Sequence, residues 1–163
     1  LFDRITDLKM LRAIQLINPE HVTLIDEPPK SETDDKLRKN TVLIVDDDES
    51  ITELVKRFLS TKNLKIIAEN DPRAGFNTLL EIKPDVVILD LMMPEYNGYM
   101  FLKDLRTKVP NPPPVIILTA ISKPEYVKRA IELGAADFVV KPIDFKNFYT
   151  KVIGTIRKAA NKL

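Results

Sequence analysis

The feature that most constrains this chain is an alternation, repeated five times from Thr41 onward, between a short apolar run and a helical pattern. The runs are Thr41–Val45, Leu64–Ala68, Asp85–Leu89, Val115–Leu118 and Asp137–Val140, all rich in Val and Ile and nearly unbroken. Such runs suit strands covered on both faces of a parallel sheet. Between them, Ile51, Leu54, Val55, Phe58 and Leu59 form one helical stripe behind a Ser50-x-x-Glu53 capping box. Asp71-Pro72 reads as a cap followed by proline in the first turn, opening a helix with Phe76, Leu79 and Leu80. A third helix carries Phe101, Leu102 and Leu105. A fourth is expected behind a Ser122-x-x-Glu125 box and ahead of Gly134, and a fifth after Asp144 with Phe145, Phe148, Tyr149, Val152, Ile153 and Ile156 inward. Five such units predict a doubly wound (βα)₅ α/β fold, an open parallel five-stranded sheet with helices on both faces. Chemistry is then expected in the loops at the carboxyl ends of the strands.

Composition removes whole classes of function. Cys is absent, which excludes disulfides, thiolate metal sites and a Cys nucleophile. His21 is the single histidine and reads as an exposed side chain, so His-rich metal sites and Ser-His-Asp triads have little to draw on. The charge nearly cancels, 25 Lys+Arg against 24 Asp+Glu, so no global field gathers nucleic acid or anionic lipid. No run approaches the roughly 20 apolar residues of a membrane span, and nothing reads as a signal peptide. The expectation is a cytoplasmic protein, with no membrane partner and no direct nucleic-acid binding. A start on Leu1 fits an excised or processed piece.

The organisation expected is a helical N-terminal extension or tail of an upstream domain over residues 1–25, a polar linker over 26–40 and one domain over 41–163. The linker, with Pro28-Pro29 and both charge signs, is composed for solvent. In Leu1–Ile17 the apolar residues fall on opposite sides of a helix, Leu1, Ile5 and Leu8 against Met10, Ile14 and Ile17. That pattern fits either the remnant of another domain or an oligomerisation helix.

The strand ends carry the chemistry. The first runs into Asp46-Asp47-Asp48-Glu49, the third into Asp90, the fourth into Thr119 and the fifth into Lys141-Pro142. Singly, each has a bland reading: an acidic run solvates a helix start, a lone Asp caps a turn, Lys before Pro lies on the surface. Jointly, on four strands of five, they place carboxylates, a hydroxyl and an ammonium on one rim. Clustered carboxylates repel unless a cation sits among them, and oxygen-only ligands of this kind suit Mg²⁺. Asp90 is then placed to act as a nucleophile toward phosphorus, with Lys141 and Thr119 holding the phosphoryl oxygens.

Residues 41–163 resemble a complete receiver domain of two-component response regulators, through VLIVDDDES, VVILDLMMPEYNG, VIILTA and GAADFVVKP at that family's spacings. The resemblance implies a flavodoxin-like sheet of order 2-1-3-4-5. It implies Asp90 as phosphoacceptor, Asp47 as a direct Mg²⁺ ligand, Asp46 as a ligand partly through water, and the main-chain carbonyl of Met92 completing the metal shell. Thr119 and Phe138 stand at the switch positions, Phe138 where Tyr is common, and Lys141 at the position of the family's lysine. Met92 and Ile121 are apolar where many relatives are polar. The implied partner is a histidine kinase or phosphotransfer protein; the implied output is a change at the face of the fourth helix, fifth strand and fifth helix, including homodimerisation there. Six Lys/Arg against Asp144 between Lys141 and Leu163 suit an acidic partner surface. Such a domain is not an enzyme in the usual sense, since it catalyses its own phosphorylation and dephosphorylation. Two other classes are kept: a phosphatase similar to haloacid dehalogenases, with Asp46 as nucleophile, and a pseudo-receiver that only docks.

Overall fold

The computed structural model describes residues 39–162 of the 163-residue chain. The expected N-terminal helix, nearly all of the linker and His21 lie outside the described residues. Five strands, β1 (Thr41–Val45), β2 (Lys65–Glu69), β3 (Val86–Leu89), β4 (Val115–Thr119) and β5 (Asp137–Val140), alternate with five helices. These are α1 (Glu49–Ser60), α2 (Pro72–Ile82), α3 (Gly98–Lys108), α4 (Pro124–Glu132) and α5 (Phe145–Ala160). The sheet is parallel throughout, in the order β2-β1-β3-β4-β5, as expected.

Successive residues of a strand point to opposite faces, so each central strand feeds two cores. Leu43, Val45, Val87, Leu89, Val115 and Ile117 pack with Leu79 of α2, Phe101, Leu102 and Leu105 of α3, and Ala130 of α4. Val42, Ile44, Val86, Ile88, Ile116 and Leu118 pack with Val55 and Leu59 of α1 and Phe148, Val152 and Ile156 of α5. The three central strands are buried at every position. The two edge strands are not, and Lys65 and Val140 are exposed. An edge strand has a neighbour on one side only, so the expectation of full burial holds for the middle of the sheet and fails at its rims. Leu54 and Leu80 are likewise 48% and 46% exposed, which makes the buried stripes of α1 and α2 narrower than their apolar pattern.

Helix starts follow the strongest local cap. For α1 this is Asp48, not Ser50: the Asp48 carboxylate accepts from the backbone N–H groups of Ser50 and Ile51. For α4 the expected Ser122 box is absent. Pro124 takes the first turn, and the residue before a proline is held extended; Lys123 sits there at φ −65 and ψ 133 with no side-chain cap. Asp71 and Asp144 cap α2 and α5 as expected. Gly134, at φ +98, ends α4, and Ala135 N–H donates to the Ala130 carbonyl across the turn.

At the end of α2, Lys83 occupies a left-handed position, φ 47 and ψ 69. A side chain there costs about 1–2 kcal/mol, and glycine gives back roughly half of that through the entropy of the unfolded chain. Lys83→Gly is expected to raise stability by about 0.5–1 kcal/mol, read as a higher urea midpoint at unchanged slope.

Candidate functional site

The carboxyl ends of β1, β3 and β5 project the charged residues, and the ladder extends one residue past the strands to hold them. Asp46 N–H donates to Glu69 O at 3.2 Å, Asp90 N–H to Val45 O at 3.0 Å and Lys141 N–H to Thr119 O at 2.9 Å. Each of these three backbones is therefore fixed against a neighbouring strand before any side-chain contact is counted.

Asp46, Asp47 and Asp90 converge, each offering a carboxylate oxygen within 4.8 Å of the others. Asp46 and Asp90 are buried, 2% and 5% exposed, and Asp47 is exposed. Both oxygens of Asp46 are engaged: Oδ1 accepts from Asp48 N–H at 3.0 Å, and Oδ2 from Lys141 Nζ at 2.7 Å. Burial pushes the Asp46 carboxyl above the usual range and the Asp90 charge adds to this, while the bonds from Lys141 and Asp48 pull it back; the net direction is upward. Among the described residues, Asp90 Oδ1 is the one buried side-chain oxygen or nitrogen that accepts or donates no hydrogen bond. Such an atom calls for a partner. An all-oxygen donor set with an unpartnered buried oxygen fits a hard divalent cation of the Mg²⁺ type.

Gly98 lets the loop after β3 close on itself. Its N–H donates to Leu91 O at 3.1 Å, and a Cβ there would lie 2.3 Å from the Asp90 carbonyl oxygen. No side chain fits at this position.

The other expected residues share the rim with less contact. Thr119 ends β4 fully buried, with Ile121 N–H 3.4 Å from its hydroxyl. Lys141 Nζ reaches Asp46 Oδ2 at 2.7 Å, which holds its ammonium on the rim. Phe138 lies in β5 opposite Ile117, half-buried against the cluster under α2, α3 and α4. The Met92 side chain is 58% exposed, and Ile121 is half-buried. One participant escaped the sequence reading. Asn70 follows β2, and its amide donates to the Asp46 carbonyl at 2.8 Å and to Thr52 Oγ1 at 2.9 Å. The same strand-end rule that found Asp90 points to it, once applied to the second strand.

The fold and rim define a doubly wound α/β domain with an acidic, lysine-bridged cluster at the carboxyl edge of its sheet. The model of the response regulator receiver domain matches residues 42–153, and the chain belongs to that family. It is 31% identical over 121 residues to the response regulator ArlR of Staphylococcus epidermidis, covering 74% of this chain and 54% of that protein. It is 35% identical over 120 residues to the probable transcriptional regulator ycf27 of Guillardia theta, covering 74% and 46%. The chain thus spans about half the length of these curated relatives. The fold is similar to that of the Vibrio cholerae chemotaxis protein CheY4, with a TM-score of 0.68, 26% identity and coverage of 72% and 99%. It is also similar to the receiver domain of the Francisella response regulator 1452, with a TM-score of 0.69, 27% identity and coverage of 74% and 98%. No helix among the described residues is long and apolar enough to cross a membrane.

Proposed function

We propose that this chain is a phosphoacceptor module that takes a phosphoryl group onto Asp90 from a histidine kinase or phosphotransfer protein. The observation that carries the reading is Asp90 itself: a buried carboxylate with an unpartnered oxygen, beside two further carboxylates and within one rim of Lys141 and Thr119. Asp47 and Asp90 would hold Mg²⁺, with Asp46 secondary because both of its oxygens are already engaged, and with the Met92 carbonyl as a further donor. The bound cation supplies positive charge that offsets the crowded carboxylates and the incoming phosphoryl oxygens. Asp90 attacks phosphorus in line; the new bond is Asp90 O–P, and the bond that breaks is the donor's P–N. Lys141 and Thr119 then stabilise the oxygens of the acyl phosphate.

Phosphorylation adds local charge at the end of β3, which biases a two-state element. Thr119 turns toward the phosphoryl oxygens, Phe138 follows inward, and the face of α4, β5 and α5 changes shape. That face carries exposed Ile131 and Val140, at 57% and 37%, and is the surface for a partner or a second copy. A cytoplasmic setting and a receiver beginning near residue 41, after an N-terminal extension and linker, belong to the same reading.

The test is intact mass after incubation with acetyl or amido phosphate and Mg²⁺. The wild type is expected to gain one phosphoryl group and Asp90→Asn none. No adduct on the wild type would mark a pseudo-receiver. Turnover of p-nitrophenyl phosphate that is lost in Asp46→Asn would mark a phosphatase.

A further inference from the structure

We propose that Asn70, at the carboxyl end of β2, is a positioning residue that sets the direction of Asp47 and so the affinity of the rim for a divalent cation; this rests on the reading above. The register of β1 and β2 ends with Val45 opposite Glu69, which brings the next residue, Asn70, alongside the peptide that joins Asp46 to Asp47. The Asn70 side-chain nitrogen donates to the Asp46 carbonyl at 2.8 Å and to Thr52 Oγ1 at 2.9 Å. Thr52, buried within α1, donates its own hydroxyl hydrogen bond to the Glu49 carbonyl at 2.9 Å. A single amide therefore ties the exit of β1 to the first turn of α1.

The consequence follows from peptide planarity. The Asp46 carbonyl and the Asp47 N–H belong to one rigid plane. Fixing the oxygen fixes that plane and with it the Asp47 nitrogen and Cα, while the bond from Asp48 N–H to Asp46 Oδ1 at 3.0 Å holds the backbone on the other side, so the base from which the Asp47 side chain leaves is set from both ends. Asp46 does not need this help, because Asp48 N–H and Lys141 already hold its carboxylate. Asp90 is packed in a buried loop closed by the Gly98 contact. Asp47 is exposed, and among the described residues its side chain meets no hydrogen-bond partner, so no side-chain contact shares with the backbone the task of placing it. Among the described residues, Asn70 is the side chain that holds the carbonyl half of this peptide.

Asn70 is itself solvent-exposed, so water replaces its bonds cheaply and its loss should cost little stability. The loss should appear in the cation. Removing a group that orients a ligand typically lowers metal affinity 10-fold or more. The experiment titrates Mg²⁺ in the acetyl phosphate reaction of the whole chain, followed by intact mass, for wild type, Asn70→Ala and the nearly isosteric Asn70→Leu. The Mg²⁺ concentration for half-maximal rate is expected to rise about tenfold in both variants. The rate at saturating Mg²⁺ should stay within about twofold, because the cation recovers the geometry once it is bound. Mg²⁺-dependent melting gives a second readout, with the same shift to higher concentration. Adding Thr52→Val to Asn70→Ala should raise the Mg²⁺ requirement no further, since both act through one amide.

An unchanged Mg²⁺ requirement in both Asn70 variants overturns the proposal. So does an equal loss of rate at saturating Mg²⁺, which would mark a general structural role. A wild type that forms no adduct overturns the phosphoacceptor reading and this inference with it, whereas an adduct formed without any Mg²⁺ dependence overturns this inference alone.

Discussion

Asp90→Asn is expected to melt higher than the wild type in the absence of divalent cations, and to lose both the response to Mg²⁺ and the phosphoryl adduct. Asn matches Asp in volume, so the packing of the buried loop is kept while one charge leaves a cluster of three. The wild-type residue also buries an oxygen without a hydrogen bond, a state that costs about 1–3 kcal/mol for a polar group, and the amide N–H group that the substitution puts there can donate to the facing carboxylates of Asp46 or Asp47. Relief of that size corresponds to a melting temperature higher by on the order of 5–10 °C for a domain of this length. Asp47→Ala should gain less, because Asp47 is exposed and its repulsion is already screened. Asp46→Asn should gain nothing, since it takes the charge away from the partner of Lys141, a pair with side chains only 17% and 2% exposed. With Mg²⁺ added, the wild type is stabilised by RT ln(1 + [Mg²⁺]/Kd). Asp47→Ala and Asp90→Asn should stay flat, and Asp46→Asn should keep a weakened response. Thermal melts of the four proteins with and without Mg²⁺ check this order, and undiminished stabilisation in both Asp47→Ala and Asp90→Asn would remove them as ligands.

The topology was legible because unbroken Val/Ile runs, which leave few alternatives to a parallel sheet, alternate cleanly along the chain with stretches of period 3.6. Local ends were less legible, for reasons that differ from case to case. Two caps competed for α1, and Asp48, nearer the strand exit, took the backbone N–H groups that Ser50 was expected to organise. At α4 the constraint came from Pro124, whose ring dictates the conformation of Lys123 whatever Ser122 could offer. Exposure of Leu54 depends on how the neighbouring helices cover α1, which no local window contains.

The rim shows the same division. Asp46, Asp47 and Asp90 could be read from the strand ends, and they meet as that reading requires. The partner of Lys141 could not be read: its ion pair with Asp46 spans 95 positions and depends on the register of three strand pairings. Asn70 was missed for a simpler cause, since an amide at a strand end carries no charge to draw attention, although its two donors bind two separate elements.

The acyl phosphate on Asp90 is expected to be long-lived. Its hydrolysis forms a bond from a water oxygen to phosphorus as the Asp90 O–P bond breaks, and the water must be held in line by a neighbouring polar group. Two residues beyond Asp90 stands Met92, and two beyond Thr119 stands Ile121; Ile121 has no hydrogen-bonding group and Met92 only a weakly accepting thioether sulfur, so neither side chain offers the strong hydrogen bond that would orient that water. Met92 is 58% exposed, so it does not cover the phosphorus as a lid. Its effect is the missing hydrogen bond and not exclusion of solvent, and Ile121, half-buried, is the better shield of the two. An orienting contact of about 1.4 kcal/mol is a factor of ten in rate. Met92→Asn and Ile121→Glu restore a polar group on either side, and each is expected to speed the decay by about that factor, with a larger gain when both are combined. Exposure also separates the two: Met92→Asn should leave stability almost unchanged, while Ile121→Glu moves a charge into a half-buried position and should lower it measurably. The measurement is loss of the phosphoryl adduct with Mg²⁺ present and no phosphodonor or kinase, read as intact mass against time. Wild-type decay within seconds, or variants that decay no faster than the wild type, would place control of the lifetime elsewhere on the rim.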